Sequence, residues 1–283
     1  MPAISVVIAT YQRAWPLQLC LEALKQQTFQ DFNVFVVDDG GEDGSRKVTM
    51  DAGFAGGYLW HPHNGFGLAR SRNDGAGASS SPLLHFIDSD IMLAPMSLEI
   101  AWEMHSKNPR RAIGGYYKYL PGMNIAPEDV RLRWDDIWDM KLPLVPVVQR
   151  STPIGMDVRE AKAKVSADHP DFFEDEDRIY WSPLSFLGGN MVIPTEQFEE
   201  AGGFDENFTT YGGEDAAMSL ALLEIGCPIS YSKRIAGAHI AHEKNADATG
   251  EGEREKILYL AKKYPFYFTE DGQPRMENWN KPR

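Results

Sequence analysis

Three apolar runs, each closing on polar residues, constrain this chain more than any other feature. Residues 4–9 read ISVVIA and are followed by Thr10 and Tyr11. FNVFVVDD ends on Asp38 and Asp39, and LLHFID ends on Asp88, with Ser89 and Asp90 directly after it. Mostly apolar runs of this length, each with one polar residue inside it, suit strands buried on both faces of a parallel sheet. Between them the spacing turns helical. Leu17, Leu21 and Leu24 share a face after Pro16, which opens a helix because its missing N–H is harmless there. A second helical stretch carries Arg70, Arg72 and Asn73 after HNGFG, and a short strand falls at Tyr58–Trp60. Up to Asp88 the order is β-α-β-(α)-β-α-β, which defines an α/β fold class: a Rossmann-like, mostly parallel central sheet flanked by helices. In open sheets of this kind ligands bind beyond the carboxyl ends of the strands. Thr10 and Tyr11, Asp38 and Asp39, and Asp88 to Asp90 therefore converge on one crevice.

Regularity is lost between about Tyr116 and Trp181. This stretch is rich in Pro, Trp and charge, includes RLRWDDIWDMKLPLVPVV and DFFEDEDR, and reads as an irregular insertion beside the site. Trp134, Trp138 and Trp181 within it either stack on a sugar at the acceptor side or fill a core. GGNMVIP then predicts a strand, and TEQFEEAGGF a helix capped by Thr195 and stopped by Gly202–Gly203. GGEDAAMSLALLEIG predicts a helix with Glu214 and Asp215 in its first turn, where the helix dipole favours acidic residues. Two strand-like pieces follow, CPISYS and IAGAHIAH, and an amphipathic helix over Glu253–Lys263 leads to the tail PFYF. The expected organisation is a single domain over 1–283. A nucleotide-binding half occupies 1–95, the insertion 116–181, an acceptor and catalytic half 185–245, and a C-terminal helix and tail 246–283.

Composition narrows the partners. A net charge of -13 argues against nonspecific nucleic-acid binding and against adhesion to an anionic membrane. Cys20 and Cys227 are the two cysteines, in no metal-type spacing, and Cys20 lies in an apolar helical stretch that suits a buried free thiol of the reducing cytoplasm. No stretch approaches the roughly 20 apolar residues of a membrane span, and MPAISVVIAT lacks the basic flank and cleavage site of a signal peptide. A cytoplasmic protein is expected, with peripheral membrane association through its acceptor or a partner still open.

Four features carry candidate chemistry. In an extended strand Asp88 and Asp90 face the same side, so both carboxylates could address one Mn²⁺ or Mg²⁺ whose other ligands are phosphates and water. A solvated turn is the plainer alternative. In YGGEDAAM the glycines allow close backbone approach and leave two carboxylates at a helix mouth, one able to hold a hydroxyl while the other removes its proton. An ordinary acidic first turn would look the same. His239 and His242 in AGAHIAHEKN offer imidazoles that could complete a metal site, and Arg70 and Arg72 could pair with phosphate oxygens. No dinucleotide fingerprint, P-loop or nucleophile elbow is present.

Their order is more specific than any one of them. VVIATYQR, VVDDGG, a helix with ARSRN, FIDSD, GGN, GGFDENFTTYGGED and AHEKN together resemble a family 2 glycosyltransferase with the GT-A fold. The second half is similar to the galactosyltransferase-type segment of chondroitin-polymerase and polypeptide N-acetylgalactosaminyltransferase relatives. The resemblance covers about residues 3–95 and 185–245. It implies a nucleotide-sugar donor, most often a UDP-sugar, and a saccharide or glycoconjugate acceptor. Thr10, Tyr11 and Arg13 would contact the donor, with Tyr11 stacking on the base, Asp39 reading the uracil or ribose, and Arg72 close to the donor. Ser89, Gly189 and Asn190 would complete the donor site. Asp88, Asp90 and His242 would hold the metal, with His239 in reserve. Asp215 would be the general base of an inverting transfer and Glu214 would help hold the acceptor. Tyr211 stands where the similar sequences often have Trp, which bears on acceptor stacking. A sugar-nucleotide pyrophosphorylase and a non-catalytic nucleotide-sugar-binding protein of the same fold are the alternatives, and oligomerisation is left open.

Overall fold

The computed structural model describes residues 1–120, 125–132, 137, 188–240, 252–275 and 278. Among these, eight strands form one sheet in the order β3-β2-β1-β4-β7-β6-β8-β5. They are β1 (Ile4–Thr10), β2 (Phe32–Asp38), β3 (Gly56–Trp60), β4 (Leu83–Asp88), β5 (Ile91–Leu93), β6 (Ala112–Leu120), β7 (Asn190–Pro194) and β8 (Ile229–Ile240). The first four are mutually parallel, and their register sets Thr10 level with Asp38 and Ala9 level with Asp88. The polar strand ends therefore meet at one rim of the sheet. β7 runs antiparallel to both β4 and β6, while β8 is parallel to β6 and antiparallel to β5.

The sheet cannot be flat. Only Ser89 and Asp90 separate β4 from β5, yet β5 lies four places away in the strand order. At about 4.8 Å per strand a flat sheet would separate them by roughly 19 Å, whereas three peptide units reach at most ~11 Å. The sheet must curl until β8 and β5 return to the end of β4. Ile91 pairs with His239, and the Ile240 N–H donates to the Asp90 carbonyl at 2.9 Å. Curling thus carries a residue far along the chain, His239, to the Asp88-Ser89-Asp90 corner.

Helices α1 (Ala14–Lys25), α2 (Ser45–Ala52), α3 (Leu68–Gly77), α4 (Ser97–Lys107), α5 (Pro127–Leu132), α6 (Thr195–Glu200), α7 (Glu214–Glu224) and α8 (Glu253–Lys263) accompany the sheet. Strand residues alternate between two cores. Val7, Phe86 and Met191 pack with Phe198, Phe204 and Met218 from the α6–α7 side, and Val6, Ile8 and Ile87 pack with Leu17, Leu21 and Leu98 from α1 and α4. Cys20 and Cys227 are buried free thiols, and among the described residues no helix is long and apolar enough to cross a membrane.

Four local expectations change. α1 opens at Ala14, so Pro16 lies within its first turn, where N–H groups lack intrahelical acceptors in any case. Thr195 does not cap α6; its Oγ1 donates to the Ser81 carbonyl at 2.6 Å, tying the helix to the start of β4. The two strand pieces after Gly226 are one strand, β8, whose register against β6 slips between Gly114 and Tyr116. Tyr116 belongs to β6, which continues to Leu120, so the region read as an insertion begins inside the sheet. Two glycines in AIGGYYKYL weaken the strand signal there, and Gly115 is required. A Cβ on it would stand 2.3 Å from the Asn190 side chain. Trp134, Trp138 and Trp181 lie outside the described residues.

Candidate active site

After β1, Thr10 is buried with no hydrogen-bond partner for its Oγ1 among the described residues. Gln12 takes φ 53°, a left-handed turn that ends the strand abruptly. Tyr11 stacks flat on His63, with ring centroids 4.2 Å apart and planes 7° from parallel. Arg13 precedes α1, and its carbonyl accepts the Leu17 N–H at 2.9 Å.

The two aspartates that close β2 have different surroundings. Asp38 is fully buried, and its carboxylate accepts the Gly41 N–H at 2.6 Å and the Tyr58 hydroxyl at 2.7 Å. It holds the turn. Asp39 accepts the Gly67 N–H and the His63 Nδ1–H on Oδ2, each at 3.0 Å, and its Oδ1 lies 3.3 Å from His61 Nδ1. Gly67 must be glycine, since an added Cβ would stand 2.3 Å from Asp39 Oδ1.

Arg72 is the centre of the crevice. Its side chain is only 2% exposed. One guanidinium nitrogen donates to Asp88 Oδ1 at 3.0 Å, and the other donates to Asp215 Oδ1 at 2.8 Å and to Glu214 Oε1 at 3.4 Å. The Phe204 ring lies 5.1 Å from the guanidinium carbon, a cation–π contact. Burial alone would make Arg72 easier to deprotonate, but Asp215, Asp88 and Glu214 hold it charged. Arg72 stands beside Asp88, at the strand end where the donor was expected. Its donors are engaged by carboxylates, and it joins the corner after β4 to the mouth of α7.

Asp88 ends β4, and Ser89 and Asp90 form the turn to β5, so strand alternation does not set their directions. Asp88 faces Arg72. Asp90 meets His239, with its Oδ1 3.5 Å from His239 Nε2, and both of those side chains are 11% exposed. Enclosure pushes the Asp88 carboxyl up from its ordinary range; Arg72 opposes the shift, and Asp90 adds to it. Ser89 is buried. His242 lies outside the described residues.

Gly188 and Gly189 line the same corner. A Cβ on Gly188 would stand 2.3 Å from Asp215 Oδ1 and 2.4 Å from Arg72 Nη1, and one on Gly189 would stand 2.9 Å from Asp88 Oδ2. Asn190 points away. It is 1% exposed, accepts from His85 Nε2 at 2.7 Å and donates to the Tyr116 and Ile235 carbonyls at 3.1 Å. With its amide so engaged, it ties strands together.

Gly212 and Gly213, at φ 86° and 103°, bring the chain into α7. A Cβ on Gly213 would meet the Phe208 ring at 2.4 Å. Of the two carboxylates they deliver, Asp215 is 24% exposed and Glu214 only 5%. Glu214 is thus too enclosed for the expected role of holding the acceptor. Burial first, and then the neighbouring Asp215, push its carboxyl well above the ordinary range against the pull of Arg72. Asp215 is the carboxylate that faces the crevice. Tyr211 is 44% exposed and meets Phe66 edge-on at 5.9 Å.

His61, His63 and Gly188 received no role from the sequence. A lone histidine has no diagnostic spacing, and Gly188 gave no sign of what it lies against. The pair of adjacent glycines before a strand was the available signal.

The fold is that of the GT-A glycosyltransferases. S. aureus TarS 1–349 in complex with UDP-GlcNAc matches with a TM-score of 0.60 at 16% identity, over 91% of this chain and 65% of that one. Residues 5–143 match the model for glycosyl transferase family 2, and residues 169–244 match that for the N-terminal domain of galactosyltransferase. Validoxylamine A glucosyltransferase of Streptomyces hygroscopicus subsp. jinggangensis is 31% identical over 267 residues, covering 88% of this chain and 58% of that protein. Chondroitin synthase of Escherichia coli is 25% identical over 279 residues, covering 94% of this chain and 39% of that protein. The chain belongs to glycosyltransferase family 2, with a galactosyltransferase-type second half. It spans roughly half the length of the first of these curated relatives and less of the second.

Proposed function

We propose that this protein is a metal-dependent inverting glycosyltransferase. It moves a sugar from a nucleotide-sugar donor, a UDP-sugar, to a hydroxyl of a saccharide or glycoconjugate. The observation that carries the reading is the junction at Arg72, where the Asp88–Asp90 corner and the half-buried Asp215 meet across one crevice. A relative named as a glucosyltransferase and a fold neighbour holding UDP-GlcNAc support the donor class.

Asp90 and His239 supply an oxygen and an imidazole nitrogen close enough to share one ion, a donor set that suits Mn²⁺ or Mg²⁺. Among the described residues no third carboxylate or imidazole joins this pair; Asp88, two residues before Asp90, accepts from Arg72. When bound, the ion would offset the diphosphate charge and stabilise the departing nucleoside diphosphate. The protein's own groups do the rest. Tyr11 and Asp39 hold the base. Arg72 fixes Asp215 with a 2.8 Å hydrogen bond to its Oδ1, and Asp215 is the more open of the two carboxylates, placed to meet an acceptor hydroxyl. Asp215 takes the hydroxyl proton as the oxygen attacks the anomeric carbon on the face opposite the leaving diphosphate, which inverts that centre. A pyrophosphorylase gains no support, since Thr10-Tyr11-Gln12-Arg13 follows β1 where a glycine-rich, lysine-containing loop would be needed.

The test is a melting-temperature panel of nucleotide sugars with and without Mn²⁺, followed by turnover assays on any ligand that stabilises. Ligand at ~100 times its Kd stabilises by roughly 2.7 kcal/mol. A Mn²⁺-dependent shift with one UDP-sugar, and its transfer with inverted stereochemistry, is expected. An intact protein that no nucleotide sugar stabilises would remove the proposal.

A further inference from the structure

His63 lies between Tyr11 and Asp39, the two residues to which the proposed function gives the base. Its imidazole is a flat nitrogen heterocycle lying on Tyr11 at 4.2 Å and 7°. Its Nδ1 is 3.0 Å from Asp39 Oδ2 and 3.0 Å from the Asp39 carbonyl. Both of those atoms only accept, so Nδ1 carries the hydrogen. A ring N–H directed at a carboxylate, with a face on a tyrosine, is also what uracil would present through N3–H or guanine through N1–H.

We infer that the His63 side chain is an internal stand-in for the base: it fills the Tyr11–Asp39 slot in the free protein and swings out when a base with a ring N–H enters. This rests on the nucleotide-sugar reading. The slot does not depend on His63 for its shape. The Asp39 N–H donates to the Thr10 carbonyl at 2.9 Å, and the Asp39 carboxylate is also held by the Gly67 N–H at 3.0 Å. The His63 backbone, by contrast, is fixed. It packs so closely on Gly40 that a Cβ there would stand 2.4 Å from His63 N. The exchange is therefore a side-chain rotation and not a loop movement, and the side chain, 35% exposed, has an open side to turn into. Exchange also selects among bases. The ring nitrogen of cytosine (N3) or adenine (N1) is an acceptor and would face the Asp39 carboxylate unfavourably.

The experiment compares the Kd of UDP with Mn²⁺ for wild type and His63→Ala by calorimetry, with inorganic diphosphate plus Mn²⁺ as a base-free probe. If His63 holds the slot about nine-tenths of the time, the variant binds UDP about tenfold more tightly, while diphosphate binding is unchanged. On wild type alone, the His63 ring-proton resonance should lose the ring-current shift from Tyr11 as UDP is added; this reading does not depend on the variant folding. UDP binding that is equal or weaker in His63→Ala, or a His63 resonance that keeps its Tyr11 shift with UDP bound, overturns the inference and leaves the nucleotide-sugar reading intact. Failure of both proteins to bind UDP or GDP overturns both.

Discussion

Replacing Arg72 by methionine keeps most of the side-chain volume and removes the charge. Asp88, Glu214 and Asp215 then face one another without a counter-ion. Removing one partner of a buried ion pair costs about 3–5 kcal/mol, because a charge is left uncompensated. Here the lower end applies. Asp88 is 36% and Asp215 24% exposed, so water can reach both. Glu214, at 5%, cannot be hydrated and becomes protonated instead. A loss of ~3 kcal/mol at pH 8 follows. With about 2.1 cal/mol/K per residue, 283 residues give an unfolding entropy near 0.6 kcal/mol/K and a fall in Tm of about 5 °C. The pH dependence has a fixed sign. Carboxyls whose folded pKa is raised stabilise the fold fully only below their unfolded pKa and lose that stability as pH rises through the folded value. Removing Arg72 raises them further, so the deficit against wild type must shrink as pH falls from 8 towards 5. Arg72→Lys, with charge but no fork, should fall between the two. Calorimetric melts at both pH values test this. A deficit below about 1 kcal/mol at pH 8, or one that grows on acidification, would refute the view of Arg72 as the shared counter-ion.

The other predictions can be checked with standard variants. Gly188→Ala puts a methyl against Asp215 Oδ1 and Arg72 Nη1; displacing a reacting group by about 1 Å costs roughly 100-fold, so kcat should fall by about that much while UDP affinity holds, as measured by steady-state kinetics and calorimetry. Asp90→Asn should weaken Mn²⁺-dependent UDP binding and abolish transfer, whereas Asp215→Asn should abolish transfer and leave binding in place; equal loss of binding in both would contradict the division of roles. His85 is fully buried, and burial pushes its imidazole down to about 4. Its neutral form therefore contributes stability that is present above pH 6.5 and lost as pH falls towards 4, about 3 kcal/mol in all. His85→Gln should flatten wild type's acid-side decline in Tm over that window.

β1, β2 and β4 were legible because they are buried on both faces and so are written as mostly apolar runs. Ile4–Thr10, Phe32–Asp38 and Leu83–Asp88 needed no partner information to be recognised. β6 was hidden because Gly114 and Gly115 look like a break, and the reason for Gly115 is Asn190, a long-range contact that local periodicity does not record. The same limit applies to the site. The carboxylates of both motifs were visible as types at strand and helix ends, but their partners were not. Nothing near Arg72 in the chain announces that it is buried under Phe204, and nothing near Asn190 says that its amide faces His85. Residue chemistry was readable, while the direction of each side chain depended on the curl of the sheet.

That curl also explains why the crevice calls for added positive charge. It brings Asp88, Asp90, Glu214 and Asp215 to one region, and among the described residues the buried cation that Asp88, Glu214 and Asp215 share is Arg72. Glu214 is the carboxyl that burial and Asp215 favour keeping protonated. With Glu214 neutral, Asp88 and Asp215 still share one guanidinium. A nucleoside diphosphate entering this crevice would add more negative charge to a surplus, inside a protein whose formal net charge is already -13. Like charges brought together out of water repel strongly, so an anionic donor cannot settle here with Arg72 as its only counter-ion. Arg72 is already engaged by carboxylates. The proposed divalent ion at Asp90 and His239 would remove the conflict, and its contribution can be measured as the ratio of UDP affinities with and without Mn²⁺. Donor binding that is equally tight in chelator would mean that another positive group reaches the diphosphate, and the charge argument for the ion would fail.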